Sequence, residues 1–402
     1  MKIEILRWLD KHIGTLICFV LTLHHKTLSF LRSEKTVNTK KILFIKLSEQ
    51  GSTILAYPTI KEAIKIVGRQ NVYFLVFKEN REILDILEII PQKNIFEINH
   101  YNIFTFLSSI LKTLLNIKKN KIDTCIDMEF FSRFSAILAY LCKAKKRVGF
   151  HRFNLEAPYR GDLFTHRLLY NPYLHTKTIF LCLLEAVKFE PIKNEPIHLN
   201  IDYNYNYEIP QFLPTEKEKK AIIEKIERIK KAQLTKPIFI FNPQPQDILN
   251  VRNWPLENYI QLGKKILKEY PQASIIISGT SKEKEKIKTI TKNIPETISL
   301  AGLTSLRELL TLYCIADVLI THDCGPAHFS SITPIKTIVL FGPETPLLFS
   351  PISKNKKIIY HRLACSPCIN VYNQRYFKCK TKLCIKEITV EQVYKEIKNF
   401  LK

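Results

Sequence analysis

The sequence predicts an α/β protein made of two βα domains in tandem, each with a parallel sheet covered by helices on both faces. Short apolar runs alternate with helical segments in two series along the 402-residue chain. The series are separated by residues 191–213, which contain several prolines and little periodicity. A hydrophobic content of 46% and a charged content of 24% fit a globular chain long enough for two domains.

The first series begins with KILFIKL, a buried strand whose turn at Gly51 leads into a helix with Ser52 as candidate N-cap. The predicted strands are 41–47, 71–77, 94–99, 122–128 and 146–150, and the predicted helices are 53–67, 79–90, 104–117, 132–142 and 178–189. A charged helix, 216–231, precedes the second series. There the predicted strands are 237–243, 273–279, 318–323 and 336–343, and the predicted helices are 256–270, 282–293, 303–315 and 390–401.

These patterns divide the chain into four segments: a basic amphipathic leader (1–40), an N-terminal domain (41–195), a linker with the charged helix (196–235) and a C-terminal domain (236–402). Four prolines, at 191, 196, 210 and 214, favour a boundary in the third segment. Two tandem βα domains suggest that a ligand binds in a cleft between them.

The leader contains an apolar run, 13–23, that is shorter than the roughly 20 residues needed to span a bilayer. Trp8 and cations precede the run and further cations follow it, which favours a helix lying in the membrane interface. A signal peptide is one alternative, disfavoured by Glu4, by Asp10 and by the lack of a small-residue cleavage site. An amphipathic arm packed on the body is the other.

The chain carries 61 Lys and Arg against 37 Asp and Glu, a net charge of +24. This excess predicts an anionic partner: nucleic acid, an anionic membrane surface or a phosphorylated substrate. Lysine is abundant throughout, so compositional bias is the competing explanation. No RNA-binding, zinc-finger or basic-zipper pattern is present, which disfavours nucleic acid.

The stretch ADVLITHDCGPAHFSS, residues 316–331, predicts a strand, a tight turn and a helix. Gly325 allows the turn after Asp323, Pro326 suits the first helical turn, and His328 lies on that turn. Backbone N–H groups at a helix N-terminus suit phosphate, and loops at strand carboxyl ends line the ligand crevice of open α/β sheets. The alternative is an ordinary βα turn capped by Asp323.

Residues 151–175 are predicted to be a loop dense in cations and imidazoles. Arg152, Arg160 and His166 are candidate contacts for a phosphorylated or acidic acceptor, because loops of α/β proteins often carry function. A solvated loop without a ligand is the alternative.

Six of the ten cysteines are scattered and are predicted to be buried apolar residues of a reduced compartment. The other four are Cys365, Cys368, Cys379 and Cys384, a CxxC pair followed by two more. This cluster is compatible with a zinc site, with disulfides or with a packed turn, and no metal site is predicted from it.

Five blocks of sequence together resemble glycosyltransferase family 9, the heptosyltransferase family of lipopolysaccharide core assembly. They follow the family's order and lie at 42–63, 250–266, 275–286, 300–331 and 337–351, of which the fourth is the most specific. The resemblance implies a GT-B architecture, with two Rossmann-like domains facing each other across a cleft. It implies an acceptor in the N-terminal domain, a nucleotide-sugar donor such as ADP-heptose in the C-terminal domain, and inverting transfer without a metal or other cofactor.

The resemblance also implies donor-binding residues. Arg252 matches the family's basic phosphate-binding position, where a guanidinium can hold two phosphate oxygens, although a surface arginine beside a packed tryptophan is the alternative. Glu283 matches the acid that holds the nucleotide ribose, but a solvated Lys/Glu helix face also explains it. The donor-binding set is Arg252, Glu283, Thr304, Asp323, Gly325, Pro326 and His328.

The chain departs from the family after its first strand. The family usually has Gly followed by Asp there, and that Asp is its general base; here Gly51, on the acceptor side, is followed by Ser52. A serine hydroxyl cannot act as a base at neutral pH without an activator, whereas inverting transfer needs one base. Glu49, three residues before Ser52, is the first candidate, so the catalytic pair is Glu49 and Ser52. The base could also lie elsewhere, or the chain could be catalytically silent.

Together these features predict a cytoplasmic glycosyltransferase that is peripheral to the inner membrane. It would transfer a sugar, a heptose in the family pattern, from a nucleotide diphosphate to a lipid-linked anionic saccharide of lipopolysaccharide type. A catalytically silent nucleotide-sugar-binding protein is the alternative function. A basic nucleic-acid-binding protein is a third, disfavoured hypothesis.

Overall fold

The computed structural model describes residues 3–29, 38–153, 155–192, 195–200, 208–243, 251–373 and 377–402. Parts of the predicted leader (30–37), of the linker (201–207) and of the loop before Arg252 (244–250) lie outside these residues. The chain divides into two compact units, Met1–Glu208 and Ile209–Lys402. The division falls inside the stretch from 196 to 235 that the sequence marks as a linker.

The first unit begins with two helices of the leader, α1 (Ile3–Leu9) and α2 (Thr15–Ser29), joined by a π-helical turn over Asp10–Gly14. No described helix is both long and apolar enough to cross a bilayer. The remaining elements are β1 (Ile42–Ile45), α3 (Gln50–Val67), β2 (Val72–Phe77), α4 (Glu82–Leu87), β3 (Ile95–Ile98), α5 (Ile103–Lys119), β4 (Thr124–Asp127), α6 (Arg133–Leu141), β5 (Lys146–Phe150), β6 (His166–Leu168) and α7 (Thr176–Glu185).

The six strands of the first unit form one parallel sheet in the order β3-β2-β1-β4-β5-β6. Strands β1 and β4 are buried along their whole length, as expected for a sheet covered on both faces. The chain leaves β1 toward β2 in one direction and returns from β3 to β4 in the other, so right-handed crossovers place α3 and α5 on opposite faces. The reversal between β1 and β4 is a topological switch point.

The second unit repeats this plan. Its elements are α8 (Glu216–Lys230), β7 (Ile238–Phe241), α9 (Leu256–Glu269), β8 (Ser274–Ile277), α10 (Lys284–Asn293), β9 (Ile298–Ser299), α11 (Leu306–Ile315), β10 (Val318–His322), α12 (Gly325–Phe329), β11 (Lys336–Phe341), α13 (Pro346–Phe349), β12 (Lys356–Tyr360), α14 (Leu383–Lys386) and α15 (Val390–Leu401). The parallel sheet has the order β12-β11-β10-β7-β8-β9, with its switch point between β7 and β10.

Every strand predicted from an apolar run is confirmed, and so are the helices, because burial on both faces leaves a strong local signal. Three short strands were not predicted. Strand β6 lies within the stretch predicted to be loop, so that prediction is wrong at residues 166–168. Strand β9 has only two residues, and β12 begins with two lysines at the edge of its sheet. Edge strands need no continuous apolar run, and these three carry none.

Candidate functional site

At the switch point of the first sheet, the carboxyl ends of β1 and β4 bring a lysine and two glutamates together. Lys46 follows β1 and its side chain is fully buried. Its ammonium donates to Glu129 Oε1 and Oε2 at 3.2 and 3.1 Å, to the Ser48 carbonyl at 2.8 Å and to Glu49 Oε2 at 3.5 Å. A buried ammonium is tolerated only when carboxylates and carbonyls surround it in this way.

Glu129 also holds the backbone of the loop that carries Glu49. Its Oε1 accepts the backbone N–H of Leu47 at 2.7 Å and that of Ser48 at 3.1 Å. Sequence reasoning missed both Lys46 and Glu129. The signal available was weak: a charged residue at the end of each of two apolar strands.

Glu49 occupies the N-cap position of α3 in a left-handed backbone conformation, with φ of 69°. Such a conformation is uncommon for a residue other than glycine and is often found where function constrains the backbone. Ser52, which is buried, donates its hydroxyl to Glu49 Oε2 at 3.0 Å. The Glu49 side chain is 41% exposed, so its carboxylate is held by Lys46 and Ser52 while part of it faces solvent. Gly51, between them in sequence, is buried in the first turn of α3.

Two of the three predicted acceptor residues of the cationic stretch, Arg160 and His166, have buried side chains. Arg160 is 1% exposed and pairs with the buried Asp127, whose Oδ1 accepts the backbone N–H of Glu129 at 3.0 Å. Burial raises the pKa of Asp127, and the charge of Arg160 opposes that shift. Through Asp127, Arg160 thus stabilises the loop that carries Glu129.

His166, also buried, contacts the Thr165 hydroxyl through Nδ1 at 2.8 Å. Burial, with Lys146 nearby, lowers its pKa to about 4, so the imidazole is neutral near pH 7. Arg152 is only partly buried. Of the three predicted acceptor contacts, Arg152 therefore has the most solvent-accessible position.

In the second sheet, the switch point between β7 and β10 joins Arg252 to Asp323. The Arg252 Nη1 donates to the Asp323 carbonyl at 3.0 Å and lies 3.8 Å from its Oδ2. Arg252 keeps 22% of its side chain exposed, whereas Asp323 keeps 8%. Asn242, directly after β7, accepts the hydroxyl of Thr321 at 3.2 Å and so ties the two strand ends together.

His322 fixes the loop that carries Arg252, a role that the sequence did not reveal. Its Nε2 accepts the backbone N–H of Trp254 at 2.9 Å, and the Trp254 indole donates to the Ile388 carbonyl at 2.7 Å. Burial, followed by the charge of Arg252, lowers the pKa of His322 to about 3. The imidazole is therefore neutral, and accepting at Nε2 assigns its proton to Nδ1.

Helix α12 starts two residues after Asp323, with Gly325 and Pro326 in its first turn as predicted. His328 is buried within the same short helix. Backbone N–H groups of this turn lie at the carboxyl edge of the sheet, beside the Arg252–Asp323 pair. Cys324 precedes the helix, and burial raises the pKa of its thiol to about 11, so it is not a thiolate at neutral pH.

Glu283 and Thr304 lie in the loops that follow β8 and β9. Glu283 Oε2 accepts the Thr280 backbone N–H at 2.6 Å in a capping box, and burial raises its pKa. A Cβ added at Gly279 would lie 2.9 Å from Glu283 Oε2 and 2.7 Å from Ile287 Cδ1, so a side chain there would have to displace this carboxylate. The Gly302 N–H donates to the Gly279 carbonyl at 2.8 Å, which brings the two loops together. Both residues thus lie at the same sheet edge as Arg252.

The four C-terminal cysteines line one shared pocket, together with Phe377 and Lys382. All ten cysteines of the chain are free thiols. Burial raises the pKa of Cys384 to about 11, whereas hydrogen bonds from Thr381 and Lys382 lower that of Cys379. Within the described residues, no group of three or more His, Cys, Asp or Glu side chains is arranged to hold a metal ion.

The sequence model of glycosyltransferase family 9 (heptosyltransferase) matches residues 110–376, more than half of the chain. A lipooligosaccharide heptosyltransferase 2 of Campylobacter jejuni is 33% identical over 105 residues, which are 26% of this chain and 32% of that protein. The match thus spans about a third of that relative's length.

Longer matches have lower identity. The lipopolysaccharide core heptosyltransferase OpsX of Haemophilus influenzae is 22% identical over 329 residues, covering 80% of this chain and 84% of that protein. The solved structure of the ADP-heptose lipopolysaccharide heptosyltransferase II of Escherichia coli superposes with a TM-score of 0.66 and 17% identity, covering 90% of this chain and 98% of that one. This likeness confirms the predicted GT-B fold class.

Proposed function

The chain belongs to glycosyltransferase family 9, and from that premise we propose that it transfers a sugar from a nucleotide-diphosphate donor to a lipopolysaccharide-type acceptor, with inversion and without a metal. The observation that carries the proposal is the carboxylate of Glu49, which is part-exposed and oriented by both Lys46 and Ser52 at a switch point. A carboxylate held this way suits a general base. Ser52 then orients the base that replaces the family's aspartate.

In the proposed reaction Glu49 accepts the proton of an acceptor hydroxyl. The hydroxyl oxygen forms a bond to the anomeric carbon of the donor sugar, while the bond from that carbon to the diphosphate breaks. The electron pair of the broken bond leaves with the diphosphate, and attack from the opposite side inverts the configuration. Lys46 and Glu129 act as positioning residues, because their contacts hold the loop and the carboxylate of Glu49.

The second unit supplies the proposed donor site. Arg252 is partly exposed and reaches the start of α12, where a guanidinium and backbone N–H groups suit a diphosphate. The same groups would stabilise the charge that develops on the leaving diphosphate. His328 and Thr304 complete the proposed donor contacts, and Glu283 would accept the ribose hydroxyls. ADP-heptose is the donor proposed, because the E. coli enzyme of like fold is described as an ADP-heptose transferase.

The acceptor and the location are proposed together. Relatives that act on lipopolysaccharide and lipooligosaccharide support a lipid-linked anionic saccharide as acceptor. Ten free thiols support a reducing compartment, and a nucleotide sugar is a cytoplasmic substrate. We therefore place the protein in the cytoplasm, at the inner face of the membrane.

The test is sugar transfer and donor hydrolysis with a panel of nucleotide sugars, measured on the wild type and on Glu49→Gln. We expect turnover with a nucleotide-diphosphate heptose and a fall of roughly 10²- to 10⁴-fold in kcat for Glu49→Gln, with donor affinity retained. Glu62→Gln is the matched control, because Glu62 lies on the same helix and pairs with Lys65 at 2.6 Å. Its kcat should equal that of the wild type.

The replacement of aspartate by Ser52 supports one alternative, a silent nucleotide-sugar-binding protein. Binding of ADP without turnover of any donor, in the presence of lipid acceptor extract, would establish that alternative and reject the transferase. Turnover that Glu49→Gln leaves unchanged would keep the transferase but reject Glu49 as its base.

A further inference from the structure

A stripe of small residues in the leader packs on the first unit. Asp10 accepts the backbone N–H groups of Arg133 and Phe134, each at 2.9 Å, and so caps the N-terminus of α6. A Cβ added at Gly14 would lie 3.0 Å from the Arg133 Cβ, and Cys18 is fully buried. These contacts hold the leader against the first unit, an arrangement that the sequence offered as an alternative to a helix lying in the membrane interface.

One turn further along α2, Thr22 continues the stripe. Its hydroxyl donates to the Cys18 carbonyl at 2.7 Å and accepts the Asp162 N–H at 2.8 Å. A Cβ added at Gly161 would lie 2.5 Å from that hydroxyl, so the backbone of this loop runs directly against α2. The buried positions recur every four residues, so the side chains on the opposite side of α2 are the more exposed ones.

That opposite side is apolar. Large side chains are 49–62% exposed at Leu16, Phe19, Val20 and Leu23 of α2 and at Trp8 of α1. A surface helix of a soluble protein normally turns polar residues outward, and exposed apolar patches of this kind mark interaction sites.

Helix α5 presents a second apolar stripe on the same face of the sheet. Residues Phe104, Leu107, Leu111 and Leu115 follow helical spacing and are 57–81% exposed. The buried side of α5 packs into the same core cluster as Cys18 of α2. Phe106 of α5 lies 5.3 Å, ring to ring, from Phe134, the residue whose N–H Asp10 accepts. Both stripes therefore flank the start of α6.

We propose that α1, α2 and α5 form one docking surface for a lipid bilayer with anionic headgroups. This docking surface consists of the exposed apolar side chains of these three helices. The inference rests on the proposed function, because an acceptor anchored in lipid must be reached at the bilayer surface. It adds to that function the elements that touch the membrane, among them α5, which begins at Ile103, well beyond the leader in sequence.

Charge favours a bilayer over a second copy of the chain. Exposed cations border the stripes at Arg7, Lys11, Lys112, Lys118 and Lys119. Helices α2 and α5 contain no acidic residue, and Asp10 is already engaged with α6. A symmetric dimer would set these cations against their own copies, whereas anionic headgroups neutralise them. Trp8, 57% exposed at the edge of the stripe, is the residue type that favours the headgroup region.

The test is flotation of the full chain with vesicles of phosphatidylglycerol and phosphatidylcholine, and with vesicles of phosphatidylcholine alone. One variant carries Leu16→Ser, Val20→Ser and Leu23→Ser, and a second carries Phe104→Ser, Leu107→Ser and Leu111→Ser. The control carries Leu155→Ser and Leu213→Ser, which are 86% and 81% exposed on other parts of the chain. Melting temperatures check that all variants are folded.

We expect the wild type and the control to bind the anionic vesicles equally, and each docking-surface variant to bind at least tenfold less. Binding to neutral vesicles should be at least tenfold weaker than binding to anionic ones. Equal vesicle binding by the folded α5 variant and the wild type would overturn the proposal. So would a wild type that binds neither kind of vesicle but self-associates, with the docking-surface variants losing that self-association. Flotation does not depend on turnover, so transfer without vesicle binding rejects only the docking surface, and vesicle binding without transfer rejects only the proposed function.

Discussion

The two sheets share one topology, yet the strand ends at their switch points carry opposite chemistry. The first holds a fully buried ammonium, Lys46, between the carboxylates of Glu129 and Glu49. The second holds a part-exposed guanidinium, Arg252, beside the buried carboxylate of Asp323. In the first the group that reaches solvent is an anionic carboxylate, and in the second it is a cationic guanidinium. Topology thus decides where the strand ends meet, while the side chains decide which charge is presented to solvent there.

The comparison also separates what each cation does. Lys46 faces inward and holds the loop, so its loss should affect stability first. Arg252 faces outward, so its loss should affect binding first. Three changes test this contrast, in order of expected effect.

Lys46→Met should give the largest effect, a loss of about 3–5 kcal/mol in the free energy of unfolding, because it leaves the carboxylate of Glu129 buried without its cation. Urea unfolding measures the change. Lys61→Met is the control, since Lys61 pairs with an exposed glutamate, Glu208, and should cost under about 1 kcal/mol. Equal losses of unfolding free energy in the two variants would contradict the stabilising role assigned to Lys46.

Arg252→Ala should weaken ADP binding by about 2 kcal/mol, because it removes a charge-assisted contact with the diphosphate. The free energy of unfolding should change only slightly. Titration calorimetry with ADP measures the affinity. Arg228→Ala, an exposed arginine of α8 in the same unit, should leave it unchanged. Unchanged ADP affinity in Arg252→Ala would contradict the placement of the donor site at the second switch point.

His322→Gln should change how stability depends on pH. The folded pKa of His322 is lowered to about 3, below the unfolded value of about 6.5, so the unfolded chain binds the proton first. The stability contributed by the neutral imidazole is complete above pH 6.5 and is lost as pH falls toward 3, by up to about 1.4 kcal/mol per pH unit.

Glutamine keeps an acceptor for the Trp254 N–H but does not titrate. The free energy of unfolding, measured in urea between pH 7 and pH 5, should therefore fall more steeply for the wild type than for His322→Gln. Parallel profiles would show that His322 does not couple protonation to the loop that carries Arg252.

Much of the fold could be predicted because its signals are local. Runs such as Ile42–Ile45 and Val318–His322 are apolar without interruption, since both faces of each sheet are covered. The loop at Gly325 and Pro326 was predicted from turn and helix-start preferences alone. Edge strands such as Lys356–Tyr360 were not predicted, because one side of an edge strand is unpaired and tolerates lysine.

The sites were predictable in part. Arg252 and Asp323 were both selected from sequence, and the structure brings them together. Arg160 and His166 were selected because cations and imidazoles in a loop suggest a binding surface, but both side chains are buried. Sequence cannot distinguish an arginine that faces an acceptor from one that neutralises Asp127, because the partner lies 33 residues away.

By itself the sequence determined the α/β class, the positions of the apolar strands, the family and the basic, apolar character of the leader, since each depends on neighbouring residues. Only the tertiary structure decided which charged groups meet. Lys46 and Glu129 are 83 residues apart, and Arg252 and Asp323 are 71 apart. Their contacts exist because β1 pairs with β4 and β7 with β10, and strand order is set by the packing of whole crossovers. The same packing decides which side of α2 and of α5 remains exposed.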